Sequence, residues 1–148
     1  VNDYLLLQKV RYNNCLHYEF RIPESLLECQ IPKLLLQPVI ENSIKHGYQP
    51  GKTLDIMVEA EQRGDDLRFV VQDNGKGIAA KDLPNIFDRF YRTDASRNSS
   101  KGGSGIGLSI VKKIIEEHGG KIWATSREGT GTVMYFVIRK YQEVSIDE

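Results

Sequence analysis

Between Thr53 and Asp73 the chain alternates apolar and polar residues twice. Leu54, Ile56, Val58 and Ala60 share one side of the first run, and Leu67, Phe69 and Val71 share one side of the second. Gly64-Asp65-Asp66 lies between them. Successive side chains of a strand point to opposite faces, so this period predicts strands over Thr53–Glu61 and Leu67–Asp73, joined as an antiparallel hairpin. The same register sets Asp73 on the apolar side, at the edge of an interior. A carboxylate there is costly unless it accepts hydrogen bonds.

Two other stretches carry a helical period. Over Lys33–His46, Leu36, Val39, Ile40, Ser43 and Ile44 recur at i, i+3, i+4, i+7 and i+8, the spacing of one buried face. Gly47 suits the C′ position that ends a helix, and Pro38, lacking an N–H, predicts a kink or a fresh helical start. Over Gly107–His118, Ile110, Val111, Ile114 and Ile115 form an apolar stripe that Gly119-Gly120 would stop. Shorter signals predict a strand over Cys15–Arg21 and two more over Lys121–Ser126 and Thr132–Arg139, around Glu128-Gly129-Thr130-Gly131. Residues 1–13 read as the end of a helix, Pro23–Ile31 as a loop with a helical turn, and Arg92–Gly105 as a polar, mobile loop.

A chain of 148 residues, 40% apolar and 27% charged, suits one soluble globular domain. Its 20 basic and 20 acidic side chains cancel, so nothing points to nucleic acid or another polyanion. No apolar run approaches the roughly 18 residues of a transmembrane helix. Cys15 and Cys29 fit no metal-ligand spacing, and a reduced, cytoplasmic protein is the simpler reading.

Three features carry chemistry. Asp73 is followed by Asn74-Gly75-Lys76-Gly77-Ile78, whose glycines let backbone pass close to a flat ligand. A buried acceptor beside such backbone could read an exocyclic amine such as that of adenine; the ordinary alternative is a strand ending in a D-N-G turn. On the first helix Glu41, Asn42, Lys45 and His46 crowd one polar face, a set suited to a metal-bound triphosphate or merely to solvent. Gly102-Gly103-Ser104-Gly105-Ile106-Gly107-Leu108 runs into a helix N-terminus, where free N–H groups and the dipole favour phosphate. Two decoys fall away. Gly51-Lys52-Thr53 lacks the spacing and the following helix of a P-loop, and the twelfth position from Asp73 is Pro84 where a calcium loop needs glutamate.

Taken together and in order, these blocks resemble the catalytic, ATP-binding domain of bacterial sensor histidine kinases, in the wider superfamily of gyrase, Hsp90, histidine kinases and MutL. LQPVIENSIKHG resembles the N box, DNGKGI the first glycine box, IFDRFYR the F box, GGSGIGLSIV the second glycine box and EGTGT the third. The segment YLLLQKVRYNNCLHYEFRIP is similar to that of the subgroup whose core reads ENAIKHG.

The resemblance implies an α/β two-layer sandwich, with a mixed, mostly antiparallel sheet covered on one face by helices and a flexible ATP lid. It implies that Asp73 takes the adenine amine, that Gly75, Gly77 and Ile78 shape the base pocket, and that Thr132 supports it. Asn42 would ligate Mg2+, and Lys45 and His46 would reach the phosphates. Glu41 is a candidate base, Tyr91 and Arg92 adjoin the lid, residues 93–104 form it, and the backbone from Gly103 through Ser104, Gly105, Ile106 and Gly107 to Leu108 cradles phosphate. Phe87 and Phe90 would both pack in the core and couple the lid to a partner helix.

The implied reaction is transfer of the γ-phosphoryl group of Mg-ATP to a histidine of an upstream dimerisation and phosphoacceptor domain, for relay to a response regulator. Residues 14–142 would be the catalytic domain, 1–13 the end of the upstream helix or a linker, and 143–148 a tail. The intact kinase would be a homodimer and the isolated domain a monomer, on the cytoplasmic side of a membrane-anchored receptor. None of His17, His46 and His118 resembles a phosphoacceptor. Where the superfamily's ATPases place a glutamate one turn before the metal-binding asparagine, this chain has Pro38, which favours transfer over hydrolysis. The rivals are a serine kinase of the same superfamily, a dimerising ATPase and a non-catalytic nucleotide-binding module. The F box, Pro38 and the intact Asn42 and Asp73 respectively count against them.

Overall fold

The structure, a computed structural model, describes residues 15–26, 35–88 and 106–139. The expected helix end over 1–13, the loop over 92–105 and the tail over 143–148 lie outside the described residues.

Five strands form one sheet in the order β1-β2-β3-β5-β4. They are β1 Leu16–Arg21, β2 Leu54–Arg63, β3 Asp66–Asp73, β4 Lys121–Arg127 and β5 Gly131–Arg139. β2 runs two residues further than expected, leaving Gly64-Asp65 as a tight two-residue connection between paired Arg63 and Asp66. β1 pairs parallel with β2 because helix α1, Leu36–Gly47, carries the chain across between them. The other three pairings are antiparallel, which makes the sheet mixed but mostly antiparallel. Short 3-10 turns occur at Glu24–Leu26 and Leu83–Asn85.

One face of the sheet is apolar. Ile56, Val58, Leu67, Phe69, Val71, Met134, Phe136 and Ile138 are buried there, with Phe69 and Phe136 stacked 4.7 Å apart across β3 and β5. Helix α1 covers this face with Val39, Ile40 and Ile44, and helix α2, Ile106–Glu117, adds Leu108, Val111 and Ile115. Each fully buried side chain of this size contributes about 1.5–3 kcal/mol, so the layer of helices is what makes the hairpin of β2 and β3 stable. The opposite face is half-exposed: Trp123 and Tyr135 stack there at 5.3 Å, beside a depression lined in part by Val70 and Arg68.

Two expectations need correction. Ile110, read as part of the α2 stripe, is 46% exposed. The buried residues are 108, 111 and 115, and a rotation of about 100° per residue swings position 110 away from them. Gly47 is not a left-handed C′ residue: it is the last residue of α1, and Tyr48 caps it in extended conformation, its N–H bonded to Ile44 O at 3.0 Å. Gly47 is there for another reason. A Cβ on Gly75 would overlap the Cα and carbonyl of Gly47, so the backbones of α1 and the post-β3 loop touch directly. The expected stop of α2 holds in detail. Gly119 N–H donates to Glu116 O and Gly120 N–H to Ile115 O, the paired bonds of a Schellman ending. Pro38 marks the fresh helical start that was the second expectation for it: it sits in the first turn of α1, where its missing N–H would have had no helical acceptor.

The contact between Gly47 and Gly75 predicts unequal outcomes for two glycine substitutions. Gly75→Ala should cost about 2–3 kcal/mol, because backbone must move to admit one methyl. At Gly107 an added Cβ would meet only Pro38 Cβ at 3.8 Å. Gly107→Ala should therefore leave stability unchanged or raise it by up to about 1 kcal/mol. Urea denaturation of both variants checks this; a Gly75→Ala protein as stable as its parent would refute the contact.

Candidate functional site

Asp73 ends β3 and faces Thr132 of β5 on one side and Ile56 of β2 on the other. It is 6% exposed, as the strand period required. Its Oδ1 accepts the Gly75 N–H at 2.9 Å, and the Thr132 backbone N–H and the Ser43 hydroxyl of α1 lie close enough to favour the charged form, although Ser43 Oγ also donates to Val39 O at 3.4 Å. Burial pushes the carboxyl above its ordinary value, and these three groups offset part of that rise. The result is a buried acceptor held from three elements.

The loop after Asp73 is tied down on both flanks. Asn74 points away from the carboxylate: its Oδ1 accepts the Asp55 N–H at 2.7 Å and its Nδ2 donates to Asp55 Oδ2 at 3.0 Å. Lys76 N–H donates to Gly47 O at 3.3 Å, and Lys76 O accepts the Gly129 N–H at 2.8 Å. Gly77 has φ 78°, and a Cβ there would strike the Arg127 carbonyl. Within the described residues, then, Gly75 and Gly77 are glycines because protein backbone presses against them. Ile78 is buried, and its N–H donates to Ser126 Oγ at 2.7 Å. Ser126 Oγ lies 2.8 Å from Thr132 Oγ1 and donates to Gly131 O at 3.0 Å. Asp73, Gly75, Gly77, Ile78 and Thr132 thus form one cluster under the end of α1.

The helical period strings the remaining α1 residues along one side. Pro38, Asn42 and then Lys45 and His46 are successive turns. At one end of this stripe Gly47 touches the Asp73 loop; at the other Pro38 lies against Gly107 at the start of α2. Nine residues separate Pro38 from Gly47, about 13 Å of helix at 1.5 Å per residue. Asn42 is half-buried midway between the buried acceptor and the N-terminus of α2. Lys45 Nζ lies 3.4 Å from Glu41 Oε1, an i,i+4 pair at the surface. Such pairs are worth roughly 0.3–0.5 kcal/mol, too little to hold Lys45 from a polyphosphate. Leu108 is buried in the core, which leaves only its backbone for the phosphate role expected of it. Tyr91, Arg92, Gly103, Ser104 and Gly105 lie outside the described residues, as does Phe90; Phe87 packs on the core as expected.

Two functional contacts were not foreseen. Ser43 was read only as a member of the buried stripe, and its hydroxyl reaches Asp73. Ser126 was read only as a strand end, although it pairs directly with Thr132, a relation that the hairpin register of β4 and β5 specifies. Among the described residues no three His, Cys, Asp or Glu side chains gather as a metal site, and no helix is long and apolar enough to cross a membrane.

Comparison with known proteins fits this geometry. Residues 30–142 match the family described as histidine kinase-, DNA gyrase B-, and HSP90-like ATPase. The sensor histidine kinase WalK of Bacillus subtilis (strain 168) is 34% identical over 149 residues, covering 97% of this chain and 24% of that protein. A sensor protein kinase WalK of Staphylococcus epidermidis is 36% identical over 120 residues, covering 79% and 20%. The chain therefore spans a fifth to a quarter of the length of these relatives. Among solved structures, the nucleotide-free catalytic domain of histidine kinase ThkA superposes with a TM-score of 0.71 at 30% identity, covering 93% of this chain and 88% of that one. A mycobacterial sensor histidine kinase, MprB, shares the fold with a TM-score of 0.68.

The raised pKa of Asp73 has a definite sign for stability. The folded state holds the Asp73 proton more tightly than the unfolded chain, whose carboxyl titrates near 3.8. The stabilisation from this group is complete below that pH and is lost as pH rises through the folded value. Asp73→Asn removes the titration. The melting temperature of the parent relative to the Asn variant should fall as pH rises from about 4 towards neutrality. Paired thermal melts across that range read it, and a constant difference would show that Asp73 is not strained by ionisation.

Proposed function

The chain belongs to the histidine kinase-, DNA gyrase B-, and HSP90-like ATPase family, and we propose that it holds Mg-ATP and donates the γ-phosphoryl group to a histidine of a separate helical domain of the same kinase. It is the ATP-binding catalytic domain of a sensor histidine kinase. The observation that carries the proposal is the buried Asp73 carboxylate, joined by α1 to the N-terminus of α2. One end accepts hydrogen bonds from an amine and the other, with free N–H groups and a positive dipole end, favours phosphate.

Each residue then has a task. Asp73 accepts the adenine amine, and Thr132, Gly75, Gly77 and Ile78 shape the surface around it. Lys45 exchanges Glu41 for phosphate oxygens, and His46 reaches the same region. Gly107 and the residues before it offer backbone N–H groups to the β- and γ-phosphates. Asn42 presents a hard amide oxygen, and Mg2+ takes one or two protein oxygens beside phosphates and water, so Asn42 fits that ion. When bound, Mg2+ neutralises charge on the phosphate oxygens.

In the transfer, a neutral imidazole nitrogen of the acceptor attacks the γ-phosphorus. The bond to the β,γ-bridging oxygen breaks, and ADP leaves. The domain supplies position and electrostatics. Pro38 offers no carboxylate to activate water, which favours transfer over hydrolysis. Glu41, next to Asn42, is the candidate to polarise the attacking group. Phe87 marks the side on which the acceptor helix docks. The phosphohistidine then serves a response regulator, and the domain works on the cytoplasmic side of a membrane-anchored, dimeric receptor.

Three measurements test this reading. Asp73→Asn should abolish ATP binding by calorimetry. With Oδ1 kept by the Gly75 N–H, the Asn amide turns its NH2 towards the amine it must accept. Near-normal affinity would sink the adenine assignment. Asn42→Ala should weaken ATP binding about tenfold in Mg2+ and little in a chelator; equal losses would remove the metal role. Mixed with the upstream helical domain of its kinase and labelled ATP, the chain should yield acid-labile phosphohistidine on that domain. Label on this chain alone would contradict the proposal.

A further inference from the structure

Ser126, Thr132 and Asp73 lie in one row across β4, β5 and β3, each opposite the next in the ladder. The hydrogens in this row can be assigned by elimination. Ser126 Oγ has one proton and two lone pairs. The Ile78 N–H at 2.7 Å can only donate, so it takes one lone pair. The Gly131 carbonyl at 3.0 Å can only accept, so it takes the proton. By distance alone either hydroxyl could donate across the 2.8 Å to Thr132 Oγ1, but with the Ser126 proton on the Gly131 carbonyl the remaining lone pair takes the proton of Thr132. Thr132 Oγ1 is then left with lone pairs only. Beside it the Asp73 carboxylate is also an acceptor.

We propose that Ser126 is a positioning residue that fixes Thr132 as an acceptor, so that the base end of the site takes a ring edge bearing an amino group and rejects one bearing a carbonyl. This rests on the reading of Asp73 as the contact to the nucleobase. A 6-amino purine brings two N–H groups to a row of acceptors. A 6-oxo purine brings a lone pair that no side chain in the row can satisfy, and an unpaired polar group in a buried site is what discriminates strongly between analogues. Thr132 alone would not discriminate, because a free hydroxyl rotates to suit either edge. Ser126 removes that freedom from one strand away.

Calorimetry with ATP and GTP on the chain and four variants tests this. The parent should prefer ATP. Ser126→Ala frees the Thr132 proton, and the ATP-over-GTP preference should fall about tenfold, in part through tighter GTP binding. A merely structural role would weaken both nucleotides in proportion. Ser126→Thr keeps the hydroxyl and should keep the preference. Thr132→Val deletes the acceptor and should itself lower the preference, and adding Ser126→Ala to it should change the ratio no further. An undiminished preference in Ser126→Ala or Thr132→Val, or a further fall in the double variant, overturns the proposal. Equal affinity of the parent for the two nucleotides would instead overturn the adenine reading beneath it, which Asp73→Asn tests separately.

Discussion

Burial of one carboxylate organises this domain. Asp73 occupies a position on the inner face of β3 that an aliphatic side chain would fill with a gain of about 2 kcal/mol, and it brings a desolvation cost instead. That cost is offset in part by the Gly75 N–H of the next loop, 2.9 Å from Oδ1, with the Thr132 N–H of β5 and the Ser43 hydroxyl of α1 close by. Each donor fixes the element that carries it. The loop must turn back within two residues, β5 must pair in register with β3, and α1 must end above both. The acceptor therefore sets the relative placement of the three elements that make the site. It retains unused lone pairs for a ligand.

The glycines follow from the same constraint. For Gly75 to reach Asp73 Oδ1, the loop must run directly under the last turn of α1, and Gly47 and Gly75 meet without side chains between them. Gly77 then passes the Arg127 carbonyl closely enough to exclude any Cβ. A glycine-rich loop near a nucleotide is usually explained by the ligand's approach. Here protein packing alone requires these glycines, before any ligand is considered. The two explanations are compatible: with no side chain at Gly75 or Gly77 the backbone is uncovered at those two positions, which suits the approach of a flat ring.

Much of this was legible in the sequence, for reasons of periodicity. The alternation from Thr53 to Asp73 fixed the hairpin and put Asp73 inside, and the i, i+3, i+4 spacing found both helices. What local pattern could not supply was contact between distant segments. Gly47 was read as a helix terminator because chain-local rules know only φ; its true constraint comes from residue 75. Ile110 was placed on the buried stripe because apolar residues outnumber the positions that the sheet can cover. Asn74 seemed part of a turn, whereas it locks onto Asp55, nineteen residues earlier. Ser126 was recoverable in principle, since a three-residue connection between β4 and β5 sets it opposite Thr132. The residues assigned to the phosphate end rest only on the resemblance of ordered blocks, because a polar helix face and a glycine-serine run have too many ordinary explanations.

On the proposed reading, helix α1 is what lets one site combine base recognition with phosphate chemistry. Its buried side carries Ser43 beside Asp73, the proposed base reader. Its first turn packs against the start of α2 through Pro38 and Gly107. A rigid helix of this length holds the two ends about 13 Å apart, with Asn42 between them. Position 38 would then serve two functions at once. A glutamate there would stand beside the phosphate end and could activate water. Proline closes that route, tolerates the first turn of the helix and supplies a compact apolar surface for α2. On the proposed reading, the side chain that denies the site a base is also the one that stands nearest Gly107 at the start of α2, so a return to a carboxylate at this position would bring a charge towards that helix.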